Sequence, residues 1–178
     1  MRHLPWFATI LALPALVLPL QAQERLPRNP LTQDQAHQVA EASIDPPLRV
    51  HLYTKFLDED AKAIEGLSHR ADTPARNQLM SSKLEDFADL MDELGSNLDM
   101  YDRRMADIRK ALKPLDKAVQ QWQSMLKNLP QQRGFRISRA DAIDSSNDLA
   151  DQTKHLIVKQ DAYFKEHKNQ RGQQRQIP

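Results

Sequence analysis

Two pairs of side chains in this sequence have the spacing that lets one helix face present two metal ligands, namely Glu65 with His69 and Asp151 with His155. A metal site needs three or four converging ligands, so each pair would need others from elsewhere in the chain. A di-iron or di-manganese bundle requires Glu-x-x-His pairs, and no Glu here has a His three residues later. We therefore predict no metal centre and no cofactor.

The sequence also lacks the short motifs that mark common catalytic sites. It contains no His-Glu-x-x-His zinc helix, no glycine-rich phosphate loop and no Gly-x-Ser-x-Gly nucleophile elbow. Its 4 glycines leave few positions for the tight loops on which active sites are built. Because it has no cysteine, it has no disulfide, thiol nucleophile or cysteine-ligated zinc. We predict that the protein is not an enzyme.

Charged residues are grouped in blocks along the chain. Residues 84–102 contain seven acidic side chains and no basic one, whereas residues 103–139 contain ten basic and two acidic ones. An acidic row follows at Asp141, Asp144, Asp148 and Asp151. Such blocks indicate either a surface for a charged partner or opposite charges that face each other between antiparallel helices. The second interpretation is favoured.

A row of polar residues stands at seven-residue spacing beside an apolar stripe: Ser146, Thr153, Gln160 and His167. This spacing puts the four side chains on one side of a helix, where they could border a groove for a helix or peptide of a partner. The alternative is a partly solvated edge of a helical hairpin. The row is our candidate partner-binding edge.

The elements that must position these residues are helices. From Met80 to Leu129, apolar residues recur at alternating steps of four and three, and this pattern predicts a long central helix over about 74–129. Thr73 is its predicted N-cap. Gly95 or Pro114 could interrupt the helix, but the pattern keeps its phase across both positions. We therefore predict one helix bent at Pro114, with Tyr101 and Trp122 in the core.

Two shorter helices are predicted to flank the central one. The first covers about 47–68 after an Asp45 cap, and the second covers about 138–167 after a Ser138 cap. Short connections make each antiparallel to one half of the central helix. The fold class is therefore all-α. The alternative is a four-helix up-down bundle with a turn at 95–97.

The N-terminal residues 1–22 have the pattern of a cleaved export signal, with Arg2 followed by an apolar stretch and Leu20-Gln21-Ala22 at the cleavage positions. We expect a proline-rich arm with a short helix over 23–46, the coiled-coil-like helical domain over 47–168, and a disordered tail over 169–178. Removal of the signal would leave 24 basic and 24 acidic side chains. This balance gives no electrostatic footprint for nucleic acid or a membrane. The expected location is the bacterial periplasm or the medium.

One short segment resembles a known family. Leu31-Thr32-Gln33-Asp34-Gln35 matches the L-T-x-x-Q pattern of the small, exported, all-helical Spy-like periplasmic chaperones. The resemblance covers five residues and occurs once in the chain. It implies a holdase that keeps unfolded clients on a partly exposed apolar face.

These patterns lead to one functional prediction and two alternatives. We predict an exported, non-enzymatic helical protein that binds another protein as a scaffold or adaptor, or associates with itself. A Spy-like holdase is the first alternative. A bundle that binds a metal or small ligand between its helices is the second.

Overall fold

The computed structural model describes residues 29–167, and all regular secondary structure in that range is helical. The predicted all-α fold class is confirmed. The predicted signal peptide, residues 23–28 of the predicted arm and the whole of the predicted tail lie outside the described residues. The helices are α1 Gln33–Glu41, α2 Pro46–Ser68, α3 Pro74–Arg103, α4 Arg109–Asn128 and α5 Arg136–Glu166, with single 3₁₀ turns at Ala42–Ile44 and Arg133–Phe135.

Three helix starts follow from local capping chemistry. The hydroxyl of Thr32 accepts a hydrogen bond from the backbone N–H of Gln35, whose side chain accepts one from the N–H of Thr32. This capping box accounts for the L-T-x-x-Q segment as a local start signal for α1. The Asp45 carboxylate caps α2 by accepting from Leu48 N, and Thr73 caps α3. Both of these caps confirm the sequence analysis.

The central segment is two helices rather than one, which corrects the predicted helix over 74–129 and its bend at Pro114. α3 ends where Met105 adopts a left-handed conformation with φ 52°. Ala106 N donates to Tyr101 O at 2.9 Å, and Met105 N donates to Asp102 O at 3.0 Å. These two bonds form a Schellman motif, which satisfies the last carbonyls of a helix and reverses the chain. The break therefore lies at 104–108, and the turn at 95–97 in the alternative prediction is also misplaced.

The two residues suspected of interrupting the helix both lie inside helices. A Cβ atom at Gly95 would lie 3.1 Å from Gln152 Oε1, so a larger residue here would require the Gln152 side chain to shift. Pro114 is exposed on α4 and has no N–H to donate to the carbonyl of Lys110. A proline at an interior helix position costs about 3 kcal/mol. Because the Pro114 ring is exposed, core packing does not offset that cost.

Helices α2 to α5 form a four-helix bundle in which α3 and α4 lie diagonally opposite each other. α2 and α5 each pack against both of them. The pairs α2–α3 and α4–α5 are antiparallel, as predicted. The pairs α2–α4 and α3–α5 are parallel, because the connection at 104–108 crosses the diagonal. Three side-chain contacts between α3 and α5 join residues 57 positions apart, which fixes the parallel register: Ser81 with Ser138, Gly95 with Gln152, and Asp102 with Lys159.

The apolar pattern of the central segment becomes the core of the bundle. The rings of Phe87 and Trp122 meet edge to face with centroids 5.8 Å apart, which joins α3 to α4 across the centre. Tyr101 and Trp122 are buried, as predicted. Met105 is 39% exposed because it lies in the turn. The stripes of both helices face the same core on either side of the break.

Candidate functional site

The candidate partner-binding edge on α5 faces the interior along most of its length. Ser146 and Thr153 are 0% exposed and Gln160 is 4% exposed, whereas His167 lies at the end of the helix. This edge was expected to be exposed or partly solvated, and that expectation is wrong. α5 packs against both α3 and α4, so it buries a wider stripe than it would in a hairpin of two helices. The predicted role of this edge in binding a partner is untested and stays a prediction. The three buried residues could contact a partner only if the helices separated.

Gln160 serves the connection between α3 and α4. Its Oε1 accepts a hydrogen bond from Ile108 N at 3.1 Å, and its Nε2 donates to Ala106 O at 3.0 Å. Both backbone groups lie in the turn at 104–108 and would otherwise be buried without a helical partner. The Gln160 side chain therefore holds the turn against the end of α5. The seven-residue spacing located this residue but could not indicate which backbone groups it would meet.

The metal-ligand pairs gain no further ligands within the described range. Among residues 29–167 there is no group of three or more His, Cys, Asp or Glu side chains placed to hold a metal ion. Glu65 with His69 and Asp151 with His155 remain pairs on the surfaces of α2 and α5.

A groove with acidic rims runs between the parallel helices α3 and α5. Its volume is about 370 Å³. Asp92 and Asp99 lie on its α3 side and Asp148 lies on its α5 side, and all three are exposed. Met91 and Leu149 form the apolar floor. The small residues Gly95, Ser96 and Ser145 leave the groove open.

At this groove the charges differ from the favoured interpretation of the charge blocks, which concerned antiparallel helices, whereas α3 and α5 are parallel. Opposite blocks were expected to face each other, but the acidic block of α3 lies beside the acidic row of α5. Within the described range, no Lys, Arg or His side chain lies within 4.0 Å of the carboxylates of Asp92 or Asp148. Gln152 Nε2 donates to Asp99 Oδ1 at 2.5 Å, which gives that carboxylate a neutral partner. Lys159 pairs with Asp102 at 2.7 Å farther along the same helices.

A second groove, of about 390 Å³, lies where α2 and α4 begin side by side. Pro47, Leu48, Ala111 and Pro114 give it apolar walls, and His51 and Lys110 lie at its rim. Leu48 is 45% exposed. The sequence analysis identified Pro114 as a helix-breaking residue but gave no indication that it would line a groove, since the α2 wall is distant in sequence.

Two ionisable side chains of α2 that contact α3 have shifted pKa values. Burial, together with the hydrogen bond from its hydroxyl to Glu93 Oε1 at 2.5 Å, raises the pKa of Tyr53 to about 12. Burial also raises the pKa of Asp60, and the neighbouring Lys83 ammonium, 3.2 Å away, opposes that rise. Both side chains join α2 to α3, so these shifts reflect interhelical packing.

Comparison with protein-family models, curated proteins and solved structures finds no match to this chain. No helix within residues 29–167 is long and apolar enough to cross a membrane.

Proposed function

We propose that this chain is an exported, non-enzymatic adaptor that binds a basic segment of another protein in the acidic groove between α3 and α5. The observation that carries the proposal is the presence of carboxylates on both walls of one groove, at Asp92, Asp99 and Asp148. Carboxylates on both walls of one groove repel one another, and an exposed pair of charges contributes under about 1 kcal/mol. A cationic segment in the groove would remove that repulsion, so the arrangement favours a bound state.

The shape of the groove agrees with this role. A groove between two parallel helices is straight and can accept an extended strand or a third helix. Gly95, Ser96 and Ser145 keep its walls low, so the apolar stem of a lysine or arginine can lie between them while its charged head reaches the carboxylates. Met91 and Leu149 lie almost fully buried beneath them.

A zero-length carbodiimide crosslink tests this proposal, because the reagent couples a carboxylate directly to a neighbouring lysine amine. We would apply it to the exported fraction of source cells that express the tagged chain, then map the crosslinked residues. The expected result is one recurrent partner at fixed stoichiometry, joined through Asp92, Asp99 or Asp148. A variant with all three aspartates changed to asparagine cannot form the crosslink at these positions, so its loss of the partner is measured by co-purification without the reagent.

A control variant removes the same amount of charge elsewhere. Glu59→Gln, Glu65→Gln and Glu166→Gln alter three exposed carboxylates outside the acidic groove, and the partner should be retained. If both triple variants lost the partner equally, the interaction would depend only on total charge, and the proposal would be contradicted. A broad set of unrelated, misfolding-prone proteins would instead support the holdase alternative.

A further inference from the structure

The segment that follows α5 has a charge opposite to that of the acidic groove. Residues 168–178 come directly after α5 and lie outside the described residues. They carry three basic side chains, Lys168, Arg171 and Arg175, and no acidic one. We call residues 168–178 the basic tail. The charged residues that line the acidic groove are all aspartates, so the tail and the groove are complementary in charge.

The basic tail is long enough to reach the acidic groove of its own chain. It begins at the end of α5, and α5 forms one wall of that groove. With a rise of about 1.5 Å per residue, Gln152 lies about 21 Å and Asp148 about 27 Å from Glu166 along the helix. An extended chain covers about 3.3 Å or more per residue, so Arg175 can lie about 30 Å from Glu166. The tail can therefore turn back and run along the whole groove.

The two arginines of the tail match the positions of the carboxylates. Residues of α3 and α5 that bond across the groove are 57 positions apart, and this offset places Asp99 about 15 Å and Asp92 about 26 Å from the end of α5. In an extended tail Arg171 lies about 17 Å and Arg175 about 30 Å from the same point. The small excess of the tail distances leaves chain for the turn after α5.

The charges at the end of the bundle limit which tail residue can make a contact. Arg103 and Arg104 are exposed at the end of α3 and repel Lys168, so no carboxylate is assigned to Lys168. α2 and α4 begin where α3 and α5 end, so helix dipoles of both signs meet there and favour neither sign of charge. Attraction of the tail therefore depends on the side chains of the groove itself.

The route from the end of α5 to the groove carries charges of both signs. His155, Lys159 and Glu166 lie on the same side of α5 as the groove residues, given their spacing of three, four and seven. The Lys159 ammonium pairs with Asp102 at 2.7 Å, which offsets its repulsion of the tail. The route is thus balanced, with two basic and two acidic side chains, and the groove beyond it is acidic.

We propose that the basic tail binds in the acidic groove of its own chain and competes there with the basic segment of a partner. Arg171 faces Asp99 in this docked state. Arg175 faces Asp92 and Asp148. The inference rests on the proposed function and adds the regulation of that groove. A tethered segment acts at an effective concentration on the order of millimolar, so exposed ion pairs, which are individually weak, give substantial occupancy.

The N-terminal segment is a poorer occupant of the groove. Arg25 and Arg28 are basic, but Glu24 in the same stretch opposes their attraction to carboxylates. This stretch leads into α1, which packs on α2. Within the described range α2 does not contact α5, so residues 23–28 would have to cross α3 to enter the groove.

A zero-length carbodiimide crosslink in the purified full chain tests the docked tail. Arg175→Lys keeps the positive charge and supplies an amine that the reagent can couple to a carboxylate. Peptide mapping should find position 175 joined to Asp92 or Asp148 in the monomer, with a yield that does not depend on protein concentration. Lys113, an exposed amine on α4, is the internal control and should not be joined to these aspartates. Absence of a crosslink from position 175, or crosslinks only between copies, would overturn the inference.

Competition is measured with a labelled synthetic peptide of Lys, Ser and Gly. Arg171→Gln combined with Arg175→Gln should raise the affinity of the full chain for this peptide by about threefold to tenfold, since the tail no longer occupies the groove. Lys113→Gln combined with Lys117→Gln removes the same charge from α4, which does not contact α3 within the described range, and should leave the affinity unchanged. An equal gain in both double variants would reflect total charge and overturn the inference.

The two measurements separate failure of this inference from failure of the proposed function. A crosslink from position 175, with no peptide binding by any variant, would support the docked tail and contradict the partner-binding groove. Equal peptide binding with and without the tail arginines, and no crosslink, would overturn the docked tail and leave the proposed function standing. In the triple Asp→Asn variant of the groove, the tail substitutions should no longer change peptide binding. Circular dichroism should show unchanged helix content in the tail variants, because the substituted residues follow the last helix.

Discussion

Buried polar side chains in this bundle differ in whether they have a hydrogen-bond partner. Ser146 Oγ donates to Ile143 O at 2.7 Å, so its hydroxyl is satisfied within its own helix. Thr153 Oγ1 has no hydrogen-bond partner among residues 29–167, although the residue is 0% exposed. A buried hydroxyl without a partner costs about 1–3 kcal/mol. The two residues lie one heptad apart on α5, so substitutions of their hydroxyls can be compared directly.

Thr153→Val should therefore stabilise the protein by about 1 kcal/mol, since valine keeps the shape and removes the unpaired hydroxyl. Ser146→Ala should leave stability unchanged or lower it, because it removes a satisfied hydroxyl. Urea unfolding followed by circular dichroism measures both changes. A loss of stability in Thr153→Val would mean that the hydroxyl has a partner in solution.

Because the pKa of Tyr53 is raised, the free energy of unfolding changes with pH in the alkaline range. The pKa of its phenol is about 12 in the folded chain, against an ordinary value of 10.0. Between these values the unfolded state loses a proton that the folded state keeps, so the free energy of unfolding falls as pH rises. Tyr53→Phe should show a shallower fall across this range. Urea unfolding at a series of pH values measures the slope, and an identical slope in the variant would contradict this assignment.

At the scale of elements, one arginine ties together two connections of the bundle. Arg76 is 7% exposed and lies in the first turn of α3. Its guanidinium donates to Leu67 O at 3.0 Å and Ser68 O at 3.2 Å, which are the last carbonyls of α2. It also donates to Gln132 in the α4–α5 connection at 2.5 Å. The end of α2 is thus capped by a side chain that also holds the next connection.

Arg76→Met should lower the free energy of unfolding by about 2–3 kcal/mol, because it leaves buried carbonyls without their charged donor. Arg76→Lys should recover only part of that loss, since an ammonium cannot reproduce the planar fork. Arg70→Met, at an exposed arginine in the adjacent connection, is the control and should change stability little. Equal effects of Arg76→Met and Arg70→Met would mean that the contacts of Arg76 are not stabilising.

The turn between α3 and α4 uses a residue that is poorly suited to it. A left-handed conformation costs a non-glycine residue about 1–2 kcal/mol. Met105→Gly should therefore stabilise the protein by up to about 1 kcal/mol, after allowance for the greater freedom of glycine in the unfolded chain. Met105→Val should destabilise it, because β-branched residues tolerate positive φ least. Thermal unfolding of the two variants should shift the midpoint in opposite directions.

At the scale of the whole molecule, the diagonal crossing sets which charges become neighbours. In an up-down bundle whose consecutive helices are adjacent, all neighbours would be antiparallel. Here α3 and α5 are parallel neighbours, and their acidic faces border one groove. The chain as a whole has a formal net charge of +1, so this repulsion is local rather than global. Salt should relieve it, because exposed charges are screened.

Asp148→Asn should raise stability by a few tenths of a kcal/mol at low salt, and added sodium chloride should reduce that gain. Glu59→Gln removes the same charge but also the partner of Lys55, 3.9 Å away, so it should not stabilise the protein. Urea unfolding at low and high ionic strength compares the two variants. The same gain in both would mean that the acidic groove is not a special source of repulsion.

The sequence by itself determined the features that depend on residues a few positions apart. The caps at Asp45 and Thr73 and the buried positions of Tyr101 and Trp122 follow from local hydrogen bonds and from periodicity. Ser138 is a partial exception. It was predicted to cap α5, but it lies inside the helix and bonds to Ser81 at 2.6 Å across the interface.

Only the tertiary structure decided which helices became neighbours. The left-handed turn at Met105 carries no glycine or proline signal, and it converts one predicted helix into two diagonal ones. That change buries Ser146, Thr153 and Gln160, and it brings Asp92 beside the Asp148 row. Periodicity reports which side of a helix is apolar, but not how many helices cover it. The grooves depend on residues distant in sequence, so they exist only once the chain has folded.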